Sequence, residues 1–270
     1  MDEKKTYVTL LSSDDYYPGV VMLDWSLRKV ASRYPLFVLC SDSLSDTTIK
    51  KIRKRGLNYQ ILDDHWKGTD RFNKEAGYEH WGHTFDKLYV WTLTQFDKVV
   101  FLDTDMQVIQ NIDYLFDKPH MSAVRADMWN EPDLDQLNSG LMVIEPNLKD
   151  FEGMSSLWES KEIQWRRNIG DQDVIRAYFS NWGRQKELTL APGLNVFYTE
   201  VSRGIIKQED VSPVSVIHYI GNRKPWMLSP KAFYRRSRNN FLGKYLIQFA
   251  FALWHFFPSS LFNRNHGIIR

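Results

Sequence analysis

Cysteine is almost absent from this chain, since its 270 residues include only Cys40. A single cysteine excludes an internal disulfide bond. The first twenty residues also lack the basic and then apolar pattern of a secretory leader. These two absences predict a reducing compartment, of which the cytoplasm is the simplest.

A hydrophobic run long enough to cross a bilayer is also absent. The most apolar stretch is LIQFAFALWHFF (246–257), with ten apolar residues in twelve, whereas a spanning helix needs about 20. Because RRSRNN and Lys244 precede it, this stretch could lie in a membrane interface with its basic groups against anionic headgroups. The alternative is a C-terminal helix that closes the core.

Acidic residues are absent after Asp210. The last 60 residues contain nine Lys or Arg, which gives this tail a charge of +9 and leaves −7 on residues 1–210. Such asymmetry predicts an anionic partner for the tail, and a membrane surface contacted through residues 235–257 is the candidate, with no nucleic-acid partner indicated. We therefore divide the chain into a compact domain, 1–230, and a basic, amphipathic extension, 231–270.

Strand and helix patterns alternate along the compact domain, whose 43% hydrophobic content is sufficient for a large core. This alternation predicts an α/β fold with a mostly parallel sheet, whose ligands bind beyond the carboxyl ends of its strands. A long polar loop is predicted at 63–83, and a helix at 84–96 would place Lys87 in its first turn. The other predicted strands are 7–11, 36–41, 59–62, 99–105, 122–127, 140–146 and 215–220, and the other predicted helices begin near Pro18 or span 44–56, 147–160 and 171–181.

Two carboxylates end the apolar strand KVVFLDTD. In extended backbone, Asp103 and Asp105 point the same way, and two close carboxylates repel unless a cation holds them. A divalent metal is therefore predicted, and a solvated acidic turn is the alternative. In HYIGNRKPW, His218 would end a strand, followed by Gly221 and Lys224. Two Asp and one His suit Mn²⁺, with Mg²⁺ possible.

Five blocks of the sequence resemble glycosyltransferase family 8 in their order and approximate spacing. They are TLLSSDDYYPG, FDKLYVWTLTQFDKVVFLDTDMQVIQNIDYLF, LNSG, GDQ and HYIGNRKPW, between residues 6 and 226. The resemblance is nearest to the glycogenin branch, and the family also includes galactinol synthase and bacterial lipopolysaccharide glycosyltransferases. It implies a Rossmann-like, mostly parallel sheet of the GT-A type and a retaining transferase that uses a UDP-sugar.

The resemblance also implies roles for individual residues. It implies that Asp103, Asp105 and His218 bind the metal, and that Gly221 and Lys224 hold the departing diphosphate. Contacts with the nucleotide or the sugar are implied for Leu10, Ser12, Ser13, Tyr16, Lys87, Thr104, Asp127, Asn138 and Ser139.

The GDQ block carries the most mechanistic weight. Asp171 and Gln172 would lie under the reacting face of the sugar, although a helix N-cap is the alternative interpretation. Retention could then proceed through Asp171 as a nucleophile, or through front-face attack with a short-lived oxocarbenium ion that Asp171 or Gln172 stabilises. We favour the second route.

The acceptor is less well indicated than the donor. The tyrosine on which glycogenin builds its own primer has no counterpart in register, because Tyr198 in LNVFYTEVSRG is displaced, and an arginine of glycogenin is matched only by Arg71 in a shifted loop. We therefore predict transfer of a hexose, glucose in first place and galactose or N-acetylglucosamine otherwise. The acceptor would be a separate saccharide or lipid-linked saccharide, as in lipopolysaccharide or other surface-glycan assembly.

Three other functions stay open from the sequence. A self-glucosylating primer enzyme is the first. The second is a haloacid-dehalogenase-type phosphatase, which FLDTDMQV resembles, although that motif normally opens its fold and has a hydroxyl residue where Gln107 stands. The third is a non-catalytic module that binds sugar or nucleotide, with some of the ten tryptophans as stacking platforms.

Overall fold

The structure is a computed structural model that describes residues 3–63, 79–126, 135–160, 169–238 and 240–256. Asp127 and Arg71, both named above, lie outside the described residues, as does most of the predicted loop at 63–83. The side chains of residues 79–84 are also not described.

Ten strands are described, and seven of them form the central sheet. In chain order the strands are β1 (Lys5–Leu11), β2 (Leu36–Cys40), β3 (Asn58–Ile61), β4 (Lys98–Leu102), β5 (Met106–Val108), β6 (Ala123–Arg125), β7 (Leu137–Ile144), β8 (Thr189–Leu190), β9 (Val196–Phe197) and β10 (Val216–His218). The central sheet has the order β3-β2-β1-β4-β7-β6-β8, and a small second sheet has the order β5-β10-β9.

The central sheet is mostly parallel, as predicted. Strand β1 pairs in parallel with β2 and β4, and β2 pairs in parallel with β3. Strand β7 runs antiparallel to both β4 and β6, while β8 is parallel to β6. The alternating strands and helices of the first hundred residues predicted the parallel half, whereas the antiparallel strand was not anticipated.

Eight α-helices and seven 3₁₀ segments are described. The α-helices are α1 (Tyr17–Lys29), α2 (Asp46–Lys54), α3 (Leu148–Glu159), α4 (Asp171–Tyr178), α5 (Tyr198–Ser202), α6 (Gln208–Val211), α7 (Pro230–Ser237) and α8 (Gly243–Phe256). The 3₁₀ segments are Asp14–Tyr16, Glu79–Thr92, Asp113–Asp117, Trp182–Arg184, Lys186–Leu188, Pro192–Leu194 and Pro225–Met227.

One predicted helix differs in type and position. Residues 84–92 of the helix predicted at 84–96 belong to the 3₁₀ helix Glu79–Thr92, so Lys87 lies in the second half of that helix rather than in a first turn. Lys87 is also buried, at 6% exposure. Its salt bridges, described below, account for the burial of a charge that the sequence pattern placed off the apolar stripe.

The core has one layer on each face of the central sheet, because successive side chains of a strand point to opposite faces. Tyr7 and Val100 face the side covered by α1 and α2. Val8 and Phe101 face the side covered by the 3₁₀ helix Glu79–Thr92, α3 and α4. This helix-sheet-helix arrangement leaves the strand ends free to carry polar side chains.

The C-terminal helices close a third hydrophobic cluster. Leu246, Phe249 and Leu253 of α8 are buried against residues of α1, of β10 and of the segment after it. On its other side α8 exposes Phe251 and Trp254, at 65% and 56%. The helix therefore closes the core and also keeps an exposed apolar face. Among the described residues, none of the helices has the length and hydropathy that a membrane span requires.

Candidate active site

The candidate site lies where the carboxyl ends of β1 and β4 meet. Strand β2 lies on one side of β1 and β4 lies on the other, so the strand order reverses at β1. Such a switch point opens a crevice at the carboxyl edge, and α/β proteins bind ligands there. Ser12 and Ser13 follow β1, and Asp103 follows β4.

The two carboxylates of DTD converge through a turn rather than through strand geometry. Strand β4 ends at Leu102, and the turn is closed by the Met106 N–H, which donates to the Asp103 carbonyl at 3.1 Å. The Asp103 N–H donates to the Gly140 carbonyl of β7 at 2.9 Å. The prediction that the strand runs through 105 is therefore wrong, although the two side chains still face the same crevice.

The small sheet brings His218 to the same turn. Strand β10 runs antiparallel to β5 with His218 opposite Met106, and the Tyr219 N–H donates to the Asp105 carbonyl at 2.9 Å. The His218 Nε2 atom lies 3.0 Å from Asp105 Oδ1 and 3.8 Å from Asp103 Oδ2. Two backbone pairings thus join residues that are more than a hundred positions apart.

The geometry of the three side chains fits a divalent cation. One ligand atom from each of Asp103, Asp105 and His218 can be chosen so that all lie within 4.8 Å of one another. Adjacent ligands of an octahedral cation with bonds of about 2.1 Å lie about 3 Å apart, so small side-chain shifts suffice. Two carboxylates and one imidazole supply a mixed set of oxygen and nitrogen ligands for such a cation.

Lys224 contacts the carboxylate oxygen of Asp105 that His218 does not contact. Its Nζ atom donates to Asp105 Oδ2 at 2.5 Å and to the Tyr219 carbonyl at 3.2 Å. The same ammonium lies 5.6 Å from the centroid of the Tyr16 ring. Gly221, with φ of +93°, forms the exposed bend between β10 and this lysine, a conformation that glycine adopts without strain.

Lys87 joins the DTD turn to the GDQ block. Its Nζ atom lies 3.0 Å from Asp103 Oδ1 and 2.9 Å from Asp171 Oδ2, and it donates to the Ser139 hydroxyl at 3.3 Å. The Ser139 hydroxyl in turn donates to Asp171 at 2.9 Å, and the Ser139 N–H donates to Gln172 Oε1 at 2.9 Å. LNSG and GDQ are therefore in direct contact.

The helix cap does not account for Asp171. The N-cap of α4 is Gly170, and the Gly170 N–H donates to Asp173 at 2.9 Å. Asp171 is the first helical residue, where the helix dipole favours a negative charge, and its carboxylate is directed to Lys87 and Ser139. The cap interpretation of this residue is therefore wrong.

Burial and neighbouring charges give the two carboxylates of DTD different pKa values. Burial alone would raise the pKa of Asp105, but His218 and Lys224 outweigh it and lower the pKa. The pKa of Asp103 is raised, because its burial outweighs the attraction of Lys87 and His218. The pKa values of two close carboxylates separate in this way when no cation neutralises both groups. A bound divalent metal would let both ionise.

Both lysines keep their positive charge despite burial. Burial lowers the pKa of Lys87, but Asp103 and Asp171 outweigh it, so the pKa is raised. For Lys224 the same balance holds with Asp105 as the main partner. The site thus contains two lysine ammonium groups, one on each side of the candidate metal ligands.

The segment after β1, which is predicted to contact the nucleotide, packs against the DTD turn. The Tyr16 ring meets Trp226 edge to face at 5.7 Å. Gly19 allows this close approach, because a Cβ there would lie 2.5 Å from the Thr104 carbonyl and 2.8 Å from the Trp226 ring. Leu10 is buried in β1, Thr104 is buried in the turn, Ser12 is half-buried and Ser13 is exposed.

Sequence reasoning missed two residues that shape the site. Asn195 contacts His218 and Asn138, at 2.9 Å and 2.7 Å, and no metal-ligating or catalytic motif includes it. Gly140 provides the space for the imidazole, because a Cβ there would lie 2.9 Å from His218 Cε1. The LNSG block contains Gly140, but a spacing pattern does not reveal which side chain the glycine accommodates.

Comparisons with known proteins identify the family of this chain. The family model of glycosyl transferase family 8 matches residues 7–228. Glycogenin-1 of Homo sapiens is 29% identical over 226 residues, which cover 82% of this chain and 62% of that protein. UDP-glucuronate:xylan alpha-glucuronosyltransferase 2 of Arabidopsis thaliana is 29% identical over 238 residues, covering 83% of this chain and 36% of that protein. The chain thus spans between about a third and two thirds of these relatives.

Solved structures resemble the chain in fold. The galactosyltransferase LgtC, in complex with donor and acceptor sugar analogues, has a TM-score of 0.60 at 19% identity and covers 93% of this chain and 99% of that one. The apo form of the glycosyltransferase GlyE from Streptococcus pneumoniae has a TM-score of 0.61 at 17% identity, covering 97% and 64%. The family match argues against the phosphatase alternative. The chain has a GT-A fold and belongs to glycosyltransferase family 8.

Proposed function

We propose that this protein is a retaining glycosyltransferase that moves a hexose, glucose in first place, from a UDP-sugar to a separate acceptor. The sugar-to-phosphate bond breaks, a bond from the anomeric carbon to an acceptor oxygen forms, and UDP and the acceptor proton are released. One observation carries this proposal: three side chains that could together bind a metal ion lie between two buried lysines at the switch point of the sheet.

The metal ligands and Lys224 would stabilise the departing UDP. Asp103, Asp105 and His218 would hold Mn²⁺, which supplies positive charge to the diphosphate. Lys224 is adjacent to Asp105 and to Tyr16, so it can supply a further positive charge there. Fixed charges at the position where negative charge develops are commonly the largest contribution to catalysis.

Asp171 would stabilise the positive charge that develops on the sugar. The carboxylate is held by Lys87 at 2.9 Å and by the Ser139 hydroxyl at 2.9 Å. A carboxylate paired in this way is a weaker nucleophile but a well-positioned electrostatic partner, which supports front-face attack over a glycosyl-enzyme. Gln172 would share this role with Asp171, and Asp127, Asn138 and Ser139 would contact sugar hydroxyls in the same proposal.

A separate acceptor is supported by the surroundings of Tyr198. Its ring is 3% exposed, and its hydroxyl donates to the Arg236 carbonyl at 2.8 Å. A tyrosine committed to this contact is a poor self-glycosylation site. We propose instead a saccharide or lipid-linked saccharide of a surface glycan as the acceptor.

We also propose that the chain works at the cytoplasmic face of a membrane, with residues 1–230 as the transferase domain and 231–270 as the contact region. An apolar groove of about 260 Å³ opens between α7 and α8 and includes Tyr234, Phe251 and Trp254. The same two helices carry Lys231, Arg235, Arg236 and Lys244 and no acidic residue. An exposed apolar face beside basic side chains suits an anionic lipid surface.

A donor screen tests the transferase proposal. UDP release would be measured with UDP-glucose, UDP-galactose, UDP-N-acetylglucosamine and UDP-glucuronate, with Mn²⁺ or with a chelator, and the anomer of the product would be assigned by NMR. We expect Mn²⁺-dependent release with one preferred donor, with water as the acceptor and the released sugar appearing first as the α anomer. Binding of UDP-sugars without any release would favour the non-catalytic module.

A vesicle experiment tests the membrane proposal. Truncation before residue 240 would remove buried core side chains of α8, so point variants are preferable. Phe251→Ser together with Trp254→Ser should reduce sedimentation with vesicles that contain anionic lipid, while UDP release from the free donor stays unchanged. Equal sedimentation of the double variant and the wild type would reject this surface.

A further inference from the structure

Asn195 connects two of the proposed ligand-binding side chains. It follows the 3₁₀ helix Pro192–Leu194 and is 7% exposed. Its Oδ1 atom lies 2.9 Å from His218 Nδ1, and its Nδ2 atom donates to Asn138 Oδ1 at 2.7 Å. Both ends of the amide are therefore committed within the site.

The first contact determines which nitrogen His218 presents to a cation. An amide oxygen only accepts hydrogen bonds, so Nδ1 must carry the hydrogen in this pair. The other nitrogen, Nε2, then faces Asp105 and Asp103 at 3.0 and 3.8 Å. Phe197 packs edge to face against the ring at 5.5 Å, and the absence of a side chain at Gly140 leaves room for the ring, because a Cβ there would lie 2.9 Å from Cε1.

The second contact determines the orientation of the Asn138 amide. Asn138 Oδ1 accepts from Asn195 Nδ2 and also from the Gly140 N–H at 2.9 Å. Because two donors hold the oxygen, the amide nitrogen of Asn138 is the end that is available to donate to a hydroxyl. A flipped amide would place two donors against each other and lose both bonds.

We propose that Asn195 is a positioning residue that orients His218 toward the metal and Asn138 toward the transferred sugar. This proposal rests on the proposed function, since it needs a metal and a sugar in the site. Residues that hydrogen-bond to a metal-binding histidine typically change metal affinity by about 10- to 100-fold when they are removed. Asn195 would act in this way and would also couple the metal site to the sugar site.

Two substitutions separate the two contacts. In Asn195→Ala both are lost, so we expect Mn²⁺ affinity to fall at least about tenfold, measured by electron paramagnetic resonance of unbound Mn²⁺ without donor. In Asn195→Asp the carboxylate still accepts from His218 Nδ1 but opposes the oxygen of Asn138. Mn²⁺ affinity should then be retained, while the KM for the donor rises by about tenfold or more.

Asn111→Ala is the matched control. Asn111 donates to the carbonyls of Val30 and Ala31 and to Asp113, so its loss should lower thermal stability without changing Mn²⁺ affinity or KM. If the wild type binds no Mn²⁺, the proposed metal function fails and this inference fails with it. If the wild type binds Mn²⁺ and Asn195→Ala binds it equally well, this inference alone is overturned. Should the alanine variant not fold, unchanged Mn²⁺ affinity and unchanged KM in Asn195→Asp overturn it.

Discussion

At the scale of single residues, the site is a set of buried charges that nearly balance without a ligand. Lys87 pairs with both Asp103 and Asp171, and Lys224 pairs with Asp105, so two ammonium groups face three carboxylates. Each buried charge therefore has a partner, as the cost of desolvation requires. A cation that binds Asp105 must compete with Lys224, whereas a diphosphate that binds Lys224 must compete with Asp105.

Lys224→Met tests this competition. The variant removes the cation from Asp105, so Mn²⁺ alone should bind more tightly, by about tenfold if one charged hydrogen bond is involved. UDP with saturating Mn²⁺ should bind more weakly by a similar factor, because the diphosphate loses a positive partner. Both affinities can be measured by isothermal titration calorimetry.

Lys98→Met is a suitable control for that measurement. Lys98 pairs with Glu145 at 3.0 Å and begins β4, at the end of the strand opposite to Asp103. It should leave both affinities unchanged. Weaker binding of Mn²⁺ to Lys224→Met would show that Lys224 does not occupy Asp105 in the free protein.

Several single residues could be predicted from the sequence because their chemistry is specific. Asp103, Asp105 and His218 are residue types that bind metals, and the structure brings them together. Asn195 could not be predicted, because an asparagine in LNVF has no chemical signature of its own. The contact between Lys87 and Asp171 was also missed, since it joins two blocks through a fold that spacing alone does not specify.

At the scale of elements, α8 packs in the core, which is one of the two roles that the sequence presented as alternatives, and its membrane contact stays a proposal. Its Phe249 ring is 1% exposed and lies 5.3 Å from the Tyr219 ring and 6.4 Å from the Trp226 ring. Tyr219 is the residue after His218, and Trp226 lies two positions after Lys224. The Phe249 ring therefore supports the backbone that carries both site residues. Phe251, two residues further on, is largely exposed.

Phe249→Ala and Phe251→Ala form a matched pair that tests this division. Phe249→Ala should lower the free energy of unfolding by about 3–5 kcal/mol, as expected for a large buried aromatic residue. Phe251→Ala should change it by no more than about 0.5 kcal/mol. Urea denaturation followed by circular dichroism measures both, and equal effects would mean that α8 does not pack as described.

Elements with strong periodicity were predicted well, and elements defined by long-range pairing were not. The strand-helix units of β1, α1, β2 and α2 follow from local patterns of apolar residues. Strand β5 has only three residues and forms by pairing with β10, so no local pattern identifies it. The antiparallel direction of β7 is likewise a property of the assembled sheet.

At the scale of the whole molecule, a further buried carboxylate, that of Asp113, lies away from the site. Asp113 accepts from the Tyr7 hydroxyl at 2.8 Å, the Ser32 hydroxyl at 2.7 Å and the Arg33 N–H at 2.9 Å. Burial would raise its pKa, but these donors outweigh it and lower the pKa. The carboxylate thus ties β1 to the residues after α1.

This lowered pKa predicts how stability depends on pH. The stabilisation by Asp113 is fully present above the pKa of the unfolded chain, about 3.9, and is lost as the pH falls through the lower pKa of the folded state. Asp113→Asn should therefore cost about 1–3 kcal/mol near neutral pH, and the difference from the wild type should shrink below about pH 4. Urea titrations across this range measure it, and a constant difference would argue against the assignment.

The charge distribution of the whole chain was predictable from the sequence, but its structural meaning was not. The last 60 residues carry all of the positive excess. A helix of that segment nevertheless packs into the same hydrophobic cluster as residues of α1 and β10. Counting charges cannot reveal this packing, because the buried side chains of α8 are the apolar ones between the basic residues.

The central claim is that Asp103, Asp105 and His218 together bind one divalent cation. Titration of the wild type with Mn²⁺, followed by electron paramagnetic resonance of the unbound ion, tests it most directly, with Asp105→Asn as the variant and Asp113→Asn as the control. The account predicts one Mn²⁺ per wild-type or Asp113→Asn chain, and affinity lowered at least about tenfold in Asp105→Asn. Equal Mn²⁺ binding by Asp105→Asn and the wild type would contradict it.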